Sequence, residues 1–475
     1  PSPPRLSPDQ QAAMDALNGD GNVLVTGPAG CGKSYILNHW MKHGTGAQKN
    51  VAITASTGIA ATHIGGRTLH SWAGAGLGTQ TAEQIANDPR WGWRYRVGQR
   101  IRSAEVLVIE EVSMTDAHFF SLVSDLCKIA RGPAGAVTKQ QRLLGELRQH
   151  QPFGGLKVVL LGDFGQLAPV EEQAGFAFET SEWWDLDVRV CELTTVHRQS
   201  EVQFVRILQE IRMGTLSPEG AALLASRVRA FDPEGDPPAV RLTTHNDSVD
   251  AINRAKLEEI EGDPCFFEAE ERGDPKGLEH LEKTCLSPRE MLLKAGARVM
   301  FTRNDPEGRF VNGTLGTVTW LSPEEAGGME VTTDQGRVIC PDRVAWEFGV
   351  DGHGIFGYEK LMGMDGLGFR KLKKVREPGK GEAYRLQYPL RLAWCISIHK
   401  SQGQSLDRVS VDLSRCFAPG QAYVALSRAR TLEGLNLESE FSQRQVMSHD
   451  VAMKFIRGDF RPPAEYLEER ARRGK

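Results

Sequence analysis

Residues 23–34, VLVTGPAGCGKS, constrain this chain more than any other stretch. Val23, Leu24, Val25 and Thr26 have the character of a buried strand, and residues 34–41 behind the glycines read as a helix. The pattern G-x-x-x-x-G-K-S therefore sits in a strand–loop–helix context and predicts a P-loop rather than an ordinary glycine turn. Gly27, Gly30 and Gly32 let the backbone take positive φ, so that the N–H groups of the loop built with Pro28, Ala29 and Cys31 can surround an anion at a helix N-terminus. Lys33 is placed to reach the β and γ phosphates of a nucleotide, and the Ser34 hydroxyl to ligate Mg²⁺.

The 475 residues predict roughly three domains at about 150 residues each, and a 40% hydrophobic content supports several cores. A formal net charge of −4 argues against coating nucleic acid by bulk charge and leaves room for a local basic groove. The eight cysteines show neither a C-x-x-C pair nor zinc spacing, which predicts a reduced intracellular protein without structural zinc. No apolar run approaches a membrane span of about 18 residues, and the start at Pro1 carries neither a signal peptide nor an initiator Met. The expectation is a cytosolic chain, trimmed at its start, with no membrane partner.

Ser7-Pro8-Asp9 predicts a helix start just ahead of the P-loop strand. Gln10 on it has the paired donor and acceptor that read an adenine edge, although a lone glutamine there is more often solvated. Residues 51–54 form a second short strand. The small-residue stretch that follows includes His70, Ser71 and Trp72, where stacking on bases competes with a packed loop and a buried Trp, the latter favoured by composition. Residues 75–103 read as irregular, and the alternation Trp91-Gly92-Trp93-Arg94-Tyr95-Arg96 suits either a hairpin or loop that meets nucleic acid or an exposed strand edge.

Residues 106–111 predict a buried strand ending in Glu110 and Glu111, the arrangement of a Walker B element. One acid would hold the Mg²⁺ shell and the other would orient and deprotonate water. A helix over 115–131 leads to a further strand at 156–161, which delivers Gln166 to the sheet edge as a γ-phosphate sensor. Short apolar strands alternating with helices predict a parallel α/β sheet with its ligand at the strands' carboxyl ends. Arg198, after the strand at 188–193, is a candidate arginine finger or a plain salt-bridge partner. The Pro/Gly-rich residues 231–238 separate a second α/β unit, whose strand 240–244 ends at His245 and Asn246. Residues 304–387 carry short alternating strands with tight turns, as in a small inserted antiparallel barrel, and a basic run at 369–374 that reads as a solvated loop more readily than as a phosphate contact. Residues 388–404 return to the α/β pattern, and Arg428 in the helical stretch 420–430 is a second candidate finger. The tail 462–475 has no readable role.

With these blocks in order the chain resembles the Pif-type (petite integration frequency) DNA helicases of superfamily 1B, relatives of RecD. The resemblance rests on the P-loop with TASTGIAATHIGGRTLHSWAG at 54–74, PFGGLKVVLLGDFGQL at 152–167, TTVHRQ at 194–199, VNGTLGTV at 311–318, LAWCISIHKSQGQSLD at 392–407 and GQAYVALSRAR at 420–430. It implies an α/β fold of two RecA-like P-loop domains with parallel sheets and a small SH3-like barrel inserted in the second. The implied limits are 1–190 for the first domain with a wedge-like excursion at about 72–103, 191–303 and 388–440 for the second, 304–387 for the insertion and 441–475 for a helical tail.

By the same resemblance, ATP and Mg²⁺ bind at Gln10, residues 27–34 and Glu110, with Lys33, Glu110, Glu111, Gln166, Arg198 and Arg428 performing hydrolysis and Arg428 coming from the second domain. Thr54, His70, Ser71, Thr244, His245, Asn246, His399 and Lys400 would line a single-stranded DNA channel. The implied activity is 5′-to-3′ translocation and unwinding at duplex junctions by a monomer, with G-quadruplexes left open as a substrate, in a bacterial cytoplasm near the nucleoid. A translocase that remodels protein–DNA complexes is the alternative. Two departures stand out: Glu110 replaces the usual Asp, predicting weaker metal affinity, and Gly165 and Ala168 replace Phe and Pro around Gln166, predicting a looser sensor loop.

Overall fold

The computed structural model describes residues 6–475 except 77, 89–92, 134–138, 170–173, 236–237, 323–327, 350–354, 363–367, 463–465, 469–471 and 473–475. The chain divides into two compact units, Pro1–Ala230 with Ser405–Asp407 and Leu413–Lys475, and Phe231–Gln404 with Arg408–Asp412.

The first unit opens with α1 (Pro8–Asn18), started by Pro8 and by Gln10 Oε1 accepting from the Ser7 N–H at 3.1 Å. There follow β1 (Val23–Thr26), α2 (Lys33–His43), β2 (Val51–Ala55), α3 (Gly58–His63), β3 (Arg67–Thr68), α4 (Leu69–Ala73), α5 (Ala82–Asn87), α6 (Trp93–Ser103), β4 (Val106–Glu110), α7 (Ala117–Arg131), α8 (Lys139–Arg148), β5 (Lys157–Gly162), α9 (Ser181–Asp185), β6 (Arg189–Glu192), α10 (Val202–Arg212) and α11 (Pro218–Ala225). The six strands pair in parallel in the order β3-β2-β4-β5-β1-β6. Alternate residues of the central strands enter opposite cores, because successive side chains of a strand point to opposite faces. Leu24, Leu107, Ile109, Val158 and Leu160 pack with Phe120, Val123 and Leu126 of α7. Val25, Val106, Val108 and Val159 pack with Leu17 of α1 and with Ile36 and Trp40 of α2. Each such side chain, fully buried, contributes roughly 1.5–3 kcal/mol.

Residues 75–103 are not irregular: they hold α5 and α6. Trp91 and Gly92 of the expected nucleic-acid hairpin lie outside the described residues. Trp93 is 3% exposed and donates Nε1 to the Ala73 carbonyl at 2.9 Å, so it belongs to the core rather than to a wedge. Trp93, Val97 and Ile101 stand at i, i+4 and i+8 and pack into one cluster. That helical period outweighs the shorter aromatic–basic alternation.

The second unit comprises β7 (Val240–Thr243), α12 (Asn246–Glu259), β8 (Cys265–Glu268), β9 (Glu270–Gly273), α13 (Pro275–Thr284), β10 (Glu290–Leu293), β11 (Arg298–Phe301), β12 (Leu315–Leu321), β13 (Met329–Thr333), β14 (Val338–Ile339), β15 (Val344–Phe348), β16 (Phe356–Met362), β17 (Gly368–Lys374), β18 (Ala383–Gln387), β19 (Leu390–Leu392), β20 (Cys395–Ser397) and β21 (Val409–Val411). Strand β7 pairs in parallel with β20 and β21. The rest is antiparallel: a five-stranded sheet in the order β14-β13-β12-β11-β19, a three-stranded one in the order β15-β18-β9, and the pairs β8–β10 and β16–β17. Four of these strands, β8 to β11, lie ahead of residue 304. Val299, Phe301, Phe310, Val318, Val331 and Leu390 fill the core of these sheets. The basic run at 369–374 lies in strand β17, with Lys371 and Lys373 exposed, rather than in a loop.

The chain then returns to the first unit with α14 (Gln421–Leu426), β22 (Leu435–Leu437) and α15 (Asp450–Ile456). Phe455 of α15 stacks on Phe178 at 4.1 Å and meets Phe164 edge-on at 5.0 Å, behind the loop that carries Gln166. Tyr466 in the tail is buried and donates its hydroxyl to Asp185 at 3.0 Å.

Candidate functional site

The P-loop joins β1 to α2 at the carboxyl edge of the parallel sheet. Gly27, Gly30 and Gly32 have φ of 139°, 81° and 92°, values that side chains rarely adopt, and Gly32 caps α2. Lys33 Nζ donates to the carbonyls of Gly27 at 2.8 Å and Pro28 at 3.0 Å. Ser34 Oγ donates to Glu110 Oε1 at 2.6 Å, so the two expected metal residues are adjacent. Burial, and then the charge of Glu111, push the Glu110 carboxyl up to about 8, against the pull of Ser34 and Lys33.

Glu111 has φ 54° and ψ 45°, left-handed for a residue with a side chain, a conformation that costs on the order of 1 kcal/mol and clusters at functional sites. Ser56, just beyond β2, holds it: its Oγ donates to the Glu111 carbonyl at 2.7 Å and bonds Thr115 Oγ1 at 2.7 Å, while its N–H donates to the Glu110 carbonyl at 3.1 Å. Ser56 lies in a quoted motif, yet nothing in its local sequence marks this role.

Gln166 is 6% exposed and donates Nε2 to Asp163 Oδ2 at 3.3 Å. Asp163 is fully buried and also accepts from the Gly165 N–H at 3.0 Å and from Arg212 Nε at 2.9 Å. The looser loop expected from Gly165 and Ala168 is therefore not found. A Cβ on Gly165 would lie 2.6 Å from Arg212 Cγ, so glycine is what lets Arg212 reach Asp163.

Gln10 is buried and bonds His197 Nε2 at 3.1 Å beside Gly32, which removes the solvated-helix alternative. Asp9, missed by the sequence reading, accepts from the N–H groups of Thr194 at 2.8 Å and Thr195 at 3.1 Å, tying α1 to the segment that carries Arg198. Burial works against its ionised form, but the bonds from Ser7, Thr195, Thr194 and Gln10 hold its carboxyl well below the usual range.

Arg198 and Arg428 are brought together with the P-loop in the first unit. Arg198 Nη1 donates to the Ser427 carbonyl at 3.1 Å, and Arg428 donates to the Val424 carbonyl at 2.8 Å and to Ser427 Oγ at 2.7 Å. Burial lowers both guanidinium pKa values, and the charge of Arg198 adds to the fall of Arg428, to about 9. Two cations that repel each other, Arg428 buried and Arg198 half-buried, both within the field of Glu111, form a site that an added anion would stabilise. Tyr423, in the motif quoted for Arg428 and given no role there, is 2% exposed and accepts from the Ala29 N–H at 2.7 Å.

The residues expected on DNA divide differently. Thr54 is fully buried, donates its hydroxyl to the Val108 carbonyl at 2.6 Å and is closed to any strand. Trp72 is core, as composition favoured. His70 is half-buried and stacks on Phe119 at 3.7 Å, and the Ser71 carbonyl accepts from Arg100 at 2.9 Å. In the second unit Thr244 is buried and bonds the exposed His245 at 2.7 Å, Asn246 begins α12, and His399 and Lys400 are half-buried, with burial lowering both pKa values.

Among the described residues no group of three or more His, Cys, Asp or Glu could hold a metal, and no helix is long and apolar enough to cross a membrane. Mg²⁺ needs no such cage, since it keeps waters and takes one or two protein oxygens plus phosphates. Ser34 Oγ and Glu110 Oε1 are donors of that kind, and a divalent cation would offset the charge of the adjacent glutamates, so the residues present fit it.

The PIF1-like helicase family model matches residues 5–221. A relative from Danio rerio, ATP-dependent DNA helicase PIF1, is 36% identical over 458 residues, covering 95% of this chain; the chain spans 64% of that relative's length. The crystal structure of Pif1 helicase from Candida albicans superposes with a TM-score of 0.74 at 30% identity, covering 96% of this chain and 99% of that one. That of Pif1 helicase from Bacteroides in complex with ADP-AlF3 and ssDNA gives 0.66 at 28%, covering 96% and 97%. The parallel sheets are thus those of RecA-like domains, and by its sequence, its fold and its P-loop site this chain belongs to the PIF1-like helicase family.

Proposed function

We propose that this chain is an ATP-dependent DNA helicase that moves 5′ to 3′ on single-stranded DNA and opens duplex junctions. The observation that carries the reading is the convergence of P-loop, Glu110, Glu111 and Gln166 with the half-buried Arg198 and the buried Arg428, a set suited to a triphosphate and to the charge that develops as its γ-phosphoryl leaves. Glu111 is the base that orients and deprotonates water; Arg198 and Arg428 stabilise the γ-phosphate; Gln166 senses it from the Asp163-bound loop. Ser34 and Glu110 would hold Mg²⁺, which when bound neutralises phosphate charge. Gln10 reads the adenine edge.

A relative named as a DNA helicase and a Pif1 helicase solved with ssDNA support DNA as the partner. His70, Ser71, Thr244, His245, Asn246, His399 and Lys400 are its proposed contacts. Phosphate contacts and stacking would grip the strand with little sequence preference. The two motor domains, limited as the sequence suggests, act in a monomer near a bacterial nucleoid.

Two fluorescent duplexes, one with a 5′ tail and one with a 3′ tail, test this with ATP, Mg²⁺ and a Lys33→Ala control. Opening of the 5′-tailed duplex alone, lost in the control, is expected. Opening of only the 3′-tailed duplex overturns the polarity, and DNA-stimulated ATP turnover without opening replaces the helicase with a translocase. The same tail on a G-quadruplex tests that substrate.

A further inference from the structure

Helix α2 carries Tyr35, His39 and His43 at i, i+4 and i+8, and side chains four residues apart lie one above the other on a helix face. The rings of Tyr35 and His39 have centroids 6.0 Å apart, and those of His39 and His43 are 4.7 Å apart at an interplanar angle of 48°. His39 is half-buried, and His43, the last residue of the helix, is exposed. Among the described residues neither imidazole has a hydrogen-bond partner, so no bond within the protein has to break before either coordinates a metal. Neutral imidazole suits Zn²⁺, Ni²⁺ and Cu²⁺, and metal–nitrogen bonds of about 2.0–2.1 Å need the two nitrogens roughly 3 Å apart. Rings 4.7 Å between centres reach that separation by small rotations, because their nitrogens lie on the ring edges. The position adds to the fit: His43 stands where the last carbonyls of α2 give the helix a partial negative charge, which favours a cation. Lys42 works against it, but the helical period turns that residue about 100° away from His43.

We propose that His39 and His43 form a two-point clamp for a late transition-metal dication of the Zn²⁺ and Ni²⁺ class, with water completing the metal's shell. The clamp is distinct from Ser34 and Glu110, whose oxygens suit the harder Mg²⁺. A metal held by both imidazoles closes a ring across the last turn of α2. The unfolded chain does not hold the two rings in register, so the metal stabilises the fold. The clamp stands whether or not the P-loop takes ATP.

The test is calorimetric titration of NiCl₂ into the tag-free protein, with excess Mg²⁺ to fill the oxygen sites and at a pH where imidazole is neutral, for the parent, His39→Ala and His43→Ala. The parent is expected to bind one Ni²⁺ that either substitution weakens at least about 10-fold, because the second imidazole acts at the high effective concentration of an attached ligand. Thermal unfolding gives a second readout: Ni²⁺ should raise the melting temperature of the parent, reversibly with EDTA, and leave that of both variants unchanged. Equal Ni²⁺ affinity in parent and variants places the metal on other histidines or on the cysteines and overturns the clamp, and so does a parent that binds no Ni²⁺. Alanine is a strong helix former, so both variants should keep α2. If either does not fold, His39→Gln or His43→Gln is measured in its place, with the same loss of affinity expected and parental affinity overturning the clamp.

Discussion

Asp163 and Arg212 form a buried ion pair, with Nε and Nη2 each 2.9 Å from the same carboxylate oxygen. The aspartate also fixes the Gly165 backbone and the Gln166 side chain, so one residue sets both the counter-charge of α10 and the shape of the sensor loop. Removing one partner of such a pair strands the other charge. Asp163→Ala should therefore lower unfolding free energy by about 3–5 kcal/mol, read by urea denaturation, while Asp163→Ala with Arg212→Met should recover most of the loss. No recovery in the double variant would show that the carboxylate matters through the loop rather than through the pair.

Gly165→Ala tests the packing beside that pair. A methyl group meeting Arg212 Cγ, which the aspartate pins, should cost about 1–3 kcal/mol. A melting curve unchanged from the parent would mean that Arg212 yields freely.

Glu110 gives a pH dependence of known sign. Its carboxyl is raised from 4.5 to about 8, so between those values the folded chain holds a proton that the unfolded chain has released. Stability contributed by that group is complete below about 4.5 and is lost as pH rises through about 8. Melting temperatures measured from pH 5 to 8 without nucleotide or divalent cation should fall in the parent and fall less in Glu110→Gln. Parallel slopes would refute the assignment.

Ser56 holds Glu111 in its left-handed conformation without being placed to bind nucleotide. Ser56→Ala should lower kcat for ATP several-fold and leave KM nearly unchanged, with Ser56→Thr restoring most of the rate. A rise in KM alone would move Ser56 into the binding set.

Glu111→Gln should bind Mg·ATP about as tightly as the parent and hydrolyse it roughly 10²–10⁴-fold more slowly, the usual contribution of a general base. Arg428→Ala should likewise spare binding and cost on the order of 10³ in turnover. Steady-state ATPase rates beside nucleotide titrations separate the two effects, and near-parental turnover in either variant removes that residue from the mechanism.

The sequence by itself determined what depends on neighbours in the chain. The glycines of the P-loop demand positive φ wherever they fold, Ser7-Pro8 starts a helix by local bonding, and the apolar runs ending at Thr26, Glu110 and Gly162 make buried parallel strands with the chemistry at their carboxyl ends. The tertiary structure decided what depends on residues far apart. Tyr423 meets Ala29 across 394 positions, Gln10 meets His197 across 187, and Arg212 meets Asp163 across 49. No periodicity encodes such pairs, because each partner looks like an ordinary helix or loop residue until the sheet sets them side by side. Thr54 and Trp93 went the other way: residues of a type that often touches nucleic acid were drawn inside, since a strand between two paired neighbours and a helix with an apolar stripe bury whatever side chain faces the core.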